Sequence, residues 1–95
     1  MKKYETMFVL KTDLAEDAIK GIIERVKAAI EKAGEVESIE EWGKRKLAYL
    51  IDKKYTEGYY VLINFSAESK VLPELEHNFK INENFIRHMI INKEN

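Results

Sequence analysis

Tyr4, Thr6, Phe8 and Leu10 alternate with Glu5, Met7 and Val9, a period of two that predicts a strand over residues 4–10. The period then changes. Ile19, Ile22, Ile23, Val26, Ile30 and Ala33 recur at helical spacing, with Lys20, Glu24, Lys27 and Glu31 on the outer face. Asp13 and Glu16, three residues apart, read as a capping box ahead of this helix, and Gly34 as its C′ stop. Gly21 inside the helix costs about 1 kcal/mol relative to Ala, so it is read as the mark of a close approach to a sheet.

Residues 35–51 read as extended but irregular. Val36 and Ile39 lie three apart, which breaks strict alternation, and a bulge between them would return both to the core. The strand continues through Trp42 to Tyr49-Leu50-Ile51. Residues 52–58 are a predicted turn. Tyr59, Val61, Ile63 and Phe65 then alternate with Tyr60, Leu62 and Asn64 in a third strand. A shorter helix follows, with Ser66 or Ser69 as cap, Pro73 near its first turn and Leu72, Leu75 and Phe79 as its stripe. Phe85 to Asn92 is the fourth strand. The order strand, helix, strand, strand, helix, strand is that of an α+β, ferredoxin-like split βαβ sandwich. Both helices are expected on one face of a four-stranded antiparallel sheet, leaving the other face open.

Composition fits one domain spanning 1–95. The chain has 95 residues, 45% of them apolar, and no Cys, which excludes disulfides, thiolate catalysis and Cys-based zinc sites. No apolar run approaches the ~20 residues of a membrane span, and Met1-Lys2-Lys3-Tyr4-Glu5 lacks a signal peptide's apolar stretch. A cytoplasmic protein without membrane contact is expected. Net charge is −1, from 16 Lys+Arg and 17 Asp+Glu, which by itself disfavours a nucleic-acid partner. The charges are segregated, however. Glu35, Glu37, Glu40 and Glu41 fall in a stretch without a base, whereas Lys44, Arg45, Lys46, Lys53 and Lys54 face only Asp52. Lys2 and Lys3 open the first strand, and Arg87 and His88 lie in the last, its expected neighbour. A local basic strip can therefore form within a nearly neutral chain.

The open face supplies a second clue. Met7, Val9, Tyr60 and Leu62 belong to it, joined either by Arg87, Met89 and Ile91 or by Ile86, His88 and Ile90. The last strand is apolar on both sides, so its pattern leaves that choice open. A contiguous apolar patch on a small protein marks a contact site, and a protein partner is favoured over a homodimer or plain packing.

Specific chemistries find little support. His77 and His88 are the only histidines, and neither has metal-ligand spacing. Ser38, Ser66 and Ser69 lack a nucleophile-elbow context. There is no GxxxxGK[ST] or GxGxxG. No catalytic residue, metal, cofactor or small-molecule substrate is expected. An RNA-recognition-motif signature fails as well. Glu57-Gly58-Tyr59-Tyr60-Val61 has Glu57 in place of the base and Val61 in place of the stacking Phe, so Tyr59 is read as core.

Lys3-Tyr4-Glu5 with Met7-Phe8-Val9-Leu10, then Trp42-Gly43-Lys44-Arg45-Lys46-Leu47-Ala48-Tyr49, Glu57-Gly58-Tyr59-Tyr60 and Ile86-Arg87-His88-Met89-Ile90-Ile91 form an ordered series. Through it the chain resembles the family of bacterial small-ribosomal-subunit protein number six along essentially its whole length. The second segment is similar to that family's Gly-x-Arg-x-Leu-Ala-Tyr hallmark. Lys11-Thr12-Asp13 and Leu50 stand where many or some members have Pro, a difference at strand ends. The long acidic tail of some members is missing, which leaves tail modification open. The resemblance implies a structural protein of the small ribosomal subunit. It implies binding to the central domain of small-subunit ribosomal RNA as a heterodimer with subunit protein number eighteen.

On that reading Lys2, Lys3, Lys44, Arg45, Lys46 and Lys54 are expected to face phosphates, with Arg87 near the junction. Arg45 weighs most, because a guanidinium grips phosphate bidentately. Met7, Tyr60, Leu62 and Met89 are expected to meet the protein partner. Trp42 and Tyr49 are read as packing the hairpin's core side, and Gly43 as a bend or bulge. The rival reading is a self-associating, ferredoxin-like regulatory module. An acylphosphatase-like enzyme ranks lower, because Thr12-Asp13 with Asp17 brings acid where that loop needs donors.

Overall fold

Period-two alternation makes the opening segment the inner strand of a sheet. The computed structural model describes residues 1–51 and 55–93, with side chains for 1–46 and 57–93. Its elements are β1 (Lys2–Leu10), α1 (Glu16–Glu31), β2 (Gly34–Ile51), β3 (Tyr55–Ala67), α2 (Val71–Ile81) and β4 (Phe85–Asn92). The strands form one antiparallel sheet in the order β2-β3-β1-β4. This is the expected βαββαβ sandwich. The hairpin is longer than its sequence suggested: Ile51 already pairs with Tyr55, so residues 55–58 are strand, and the remainder of the predicted turn lies outside the described residues.

Tyr4, Thr6, Phe8 and Leu10 of β1 are buried with Val61, Ile63 and Phe65 of β3. Ile19, Ile22, Ile23, Val26 and Ile30 of α1 and Val71, Leu75 and Phe79 of α2 close over them in one core. The rings of Phe8, Phe79 and Phe85 meet pairwise at 5.0–5.7 Å between centroids. The Thr6 hydroxyl, fully buried, donates to the Met89 carbonyl at 2.9 Å, which removes the penalty of an unpaired polar group and ties β1 to β4.

Two details of chain entry depart from expectation. No side chain caps α1: Ala15 is its N-cap, so Asp13 lies too early, and Glu16 and Asp17 meet the positive end of the helix instead. Nor does a serine hydroxyl cap α2. Ser69 contributes its carbonyl to Leu72 N at 3.1 Å, and Ser66 belongs to β3.

The glycines are also reassigned. Gly34 does not terminate the helix in a left-handed conformation; it opens β2, where a Cβ would overlap the Ser66 carbonyl oxygen and sit 2.6 Å from Ala67 Cα. Gly21 is exposed, and nothing lies within 4 Å of a Cβ built on it, so it marks no close approach. Gly21→Ala is therefore expected to raise stability by about 0.5–1 kcal/mol, and Gly34→Ala to lower it by about 1–3 kcal/mol. Urea unfolding of the two variants checks both signs; a loss at Gly21 would contradict the open surroundings described for it.

The open sheet face as a candidate binding interface

Strand pairing fixes which side chains share the uncovered face. Met7 pairs with Leu62 on one side and Met89 on the other, and Val9 pairs with Tyr60 and Arg87. Arg87, Met89 and Ile91 therefore point outward. His88 turns to the helices, its ring 5.0 Å from that of Phe79, and Ile90 packs against the core. The choice left open by the apolar last strand is settled by register with β1. A bulge also helps: Val9 pairs with Arg87 but Leu10 with Phe85, so Ile86 is the extra residue and Phe85 returns to the core side.

Met7, Leu62 and Met89 thus form a continuous apolar band across three strands, with Tyr60 at one end. Met89 is 37% exposed and Ile91 46%, while Met7, Tyr60 and Leu62 are half-buried. The four residues read as a partner surface are brought together. Farther along, the face turns polar. Asn64 donates to the Ser38 hydroxyl at 3.1 Å, Lys93 donates to Asn64 Oδ1 at 2.9 Å, and the Ser66 hydroxyl donates to Glu37 at 2.7 Å.

Two bulges shape β2 within residues 34–46. The first lies between Val36 and Ser38 and returns Val36 and Ile39 to the core side, as their spacing required. The second lies between Glu41 and Gly43, and Gly43 takes a φ of 78°, which a residue with a Cβ adopts only under strain. Gly43 is thus the bend its sequence context suggested. Trp42, the extra residue, does not pack the core side. Its ring stacks on Tyr60 of the open face, centroids 6.4 Å apart, and it stays 44% exposed. The side chain of Tyr49 lies outside the described residues.

The basic residues do not form one strip. Lys3 pairs with Ser66 and Lys44 with Tyr59, seven positions apart along β3, or about 23 Å at ~3.3 Å per residue. Lys2 and Lys3 therefore stand at one end of the sheet, and Lys44, Arg45 and Lys46 at the other. Arg87 shares the latter end: it lies in the row Gly43–Tyr60–Val9–Arg87, across the sheet from the hallmark bases. Arg45 pairs with Gly58 and, with Trp42 and Tyr60, lines a shallow concavity on the open face. Lys44 pairs with Tyr59 and so projects from the opposite side. Lys54 lies outside the described residues.

On the helix side the Tyr59 hydroxyl donates to Glu41 Oε1 at 2.8 Å. This hydrogen bond, followed by burial and the negative charges of Glu41 and Glu16, raises the phenol above its ordinary value of 10.0. Folding favours the protonated phenol. Its contribution is therefore complete below about pH 10 and is lost as pH rises through the higher folded value. Glu41→Gln should move the Tyr59 transition back toward 10, read by ultraviolet titration as the difference from a Tyr59→Phe chain. An unmoved midpoint would rule out Glu41 as the cause.

Among the described residues no group of three His, Asp or Glu is placed to hold a metal, and no helix is long and apolar enough to cross a membrane. What the molecule presents is a helix-backed sheet with an exposed apolar and aromatic face and bases at two ends. That form is an α+β sandwich of the ferredoxin-like class.

Comparison with known proteins narrows the class. The family model for ribosomal protein S6 matches residues 3–92. Small ribosomal subunit protein bS6 of Thermoanaerobacter pseudethanolicus is 56% identical over 92 residues, 96% of either chain. The bS6 of Clostridium botulinum is 48% identical over 95 residues, covering 99% of this chain and 100% of the relative. The crystal structure of 30S ribosomal protein S6 from Thermotoga maritima superposes with a TM-score of 0.91 at 34% identity, over 97% of this chain and 87% of that one. The chain belongs to the ribosomal protein S6 family, structural proteins of the small subunit of the cytoplasmic bacterial ribosome.

Proposed function

We propose that residues 1–95 act as one ferredoxin-like domain that binds the central domain of small-subunit ribosomal RNA as a heterodimer with subunit protein number eighteen. The observation that carries this reading is the polarised open face. Met7, Leu62 and Met89, with Tyr60 beside them, form a band for the partner; Trp42 and Arg45 adjoin Tyr60 at one end of it, and Arg87 stands at that same end on the other edge of the sheet. An apolar band suits a protein partner, and a basic, aromatic end suits RNA. Lys44, Arg45 and Lys46 are the principal phosphate group, Arg87 borders the protein contact, and Lys2 and Lys3 serve a separate phosphate contact at the far end. Lys54 is assigned to phosphate from the basic stretch 44–54 alone.

Binding to a central-domain RNA fragment, measured with and without the partner across salt, tests the proposal. The partner should raise affinity markedly. Lys44→Ala with Arg45→Ala should shallow the slope of log affinity against log salt by about one to two units. Equal affinity with and without the partner would sink the heterodimer, and an unchanged slope would move the phosphate surface elsewhere.

A further inference from the structure

Trp42 is the chain's only tryptophan, and it stands at the surface. It is the extra residue of the second β2 bulge, and Gly43 beside it supplies the left-handed turn. The indole lies almost parallel to Tyr60, at 14° between planes, in an offset stack. At 44% exposure much of it is left to solvent. Arg45 forms the third wall of the concavity, and among the described residues it has no ion-pair partner.

A flat, exposed π surface beside a guanidinium that has no ion-pair partner among the described residues selects a ligand with a flat ring and a nearby anion. A nucleotide satisfies both: its base covers the indole and its phosphate meets the guanidinium. An aliphatic side chain would cover the ring but leave Arg45 without an anion. The neighbouring Met7–Leu62–Met89 band suits such side chains better. Glu40, paired with Leu62 one row away, repels a phosphate from the band and favours the Arg45 side.

We infer that Trp42, Tyr60 and Arg45 form a stacking site for one unpaired RNA nucleotide, with the base on Trp42 and a phosphate at Arg45. The inference rests on the RNA-binding reading above and adds to it a contact that senses a base and not only charge. It differs from the failed third-strand signature, because the outer ring comes from β2.

Emission from the single tryptophan makes the site testable in the full chain. Penta-uridylate should quench Trp42 saturably, and an abasic pentamer with the same number of phosphates should not. In the complex with the protein partner, Trp42→Leu should weaken binding to central-domain RNA about tenfold at an unchanged salt slope, and Tyr60→Leu should weaken it in the same manner. Thermal melting, expected to stay near that of the parent, separates this loss from unfolding. Equal quenching by both pentamers, no quenching by either, or parental RNA affinity in Trp42→Leu overturns the stacking site while leaving the RNA reading standing. Quenching by the protein partner alone, with no further change on adding RNA, overturns it as well and assigns the rings to the protein contact; the Trp42→Leu complex is the blank. Absence of RNA affinity in the parent complex would remove the RNA reading itself and this site with it.

Discussion

Phe8→Ala is expected to lower the stability of the chain by about 3–5 kcal/mol. Phe8 is fully buried, between Val61 and His88 in the sheet register, against Phe79 of α2 and Phe85 at the start of β4. Truncation removes the transfer free energy of a phenyl group and leaves a cavity that three elements would have to move to fill. It also removes a tilted and an edge-to-face ring contact, each worth about 0.5–1.5 kcal/mol. Collapse is hindered, because β1 is pinned by β3 and β4 along its length and cannot approach α2 alone. In urea the midpoint should fall while the slope stays the same, since the surface exposed on unfolding hardly changes. For a chain of this size the melting temperature should drop roughly 4–8 °C per kcal/mol. Phe8→Leu, which keeps most of the volume, should lose far less. A loss under 1 kcal/mol for the alanine variant would mean that the aromatic cluster is not the centre of the core.

Phe85 reaches the core side only through the bulge at Ile86, whereas Phe8 and Phe79 were legible in the chain because each occupies an inward position of a regular period. The first β2 bulge was legible for the same reason: Val36 and Ile39, both apolar and three apart, cannot both face inward on an unbroken strand. The second bulge carries no such pair. Glu41, Trp42 and Gly43 offer only one apolar residue, and an aromatic in a strand reads as core unless the register is known. The error at Trp42 follows directly. In β4 the period is silent because both faces are apolar, and only the pairing of Met7 with Met89 decides the outward set. The basic residues mislead in another way. Lys3 and Lys44 both read as part of one basic strip, but antiparallel pairing sets them opposite Ser66 and Tyr59, seven positions apart along β3. The missing caps have separate causes: Ala15 occupies the N-cap of α1, two residues past Asp13, whereas in α2 the backbone carbonyls of Glu68 and Ser69 take the amides of Val71 and Leu72, so no serine hydroxyl is needed there. Gly34 reads as a helix stop because nothing local reports the nearby backbone of β3.

Leu62→Glu is expected to weaken capture of the protein partner by about 30- to 1000-fold while the chain stays folded. Leu62 is the β3 member of the apolar band, between Met7 and Glu40 in the pairing of β1, β3 and β2, and it is half-buried on the face away from the helices. The core beneath does not depend on it. In the free chain the new carboxylate stays hydrated, and its main penalty is repulsion by Glu40 directly opposite, about 0.2–1 kcal/mol. In the heterodimer it must lose that water against apolar side chains. Truncating an apolar side chain that anchors an interface removes about 2–4 kcal/mol, and a desolvated charge adds to that. Each 1.4 kcal/mol is a factor of ten in affinity. The effect should persist in high salt, because it comes from desolvation and not from long-range charge, whereas losses at Lys44 and Arg45 should shrink there. Sedimentation of the parent chain decides between partners. A tight homodimer without RNA affinity, dissolved by Leu62→Glu, would favour the self-associating module. A monomer that loses only its heterodimer would give the net charge of −1 its meaning: the band recruits a second chain, and that chain supplies the positive charge this one lacks.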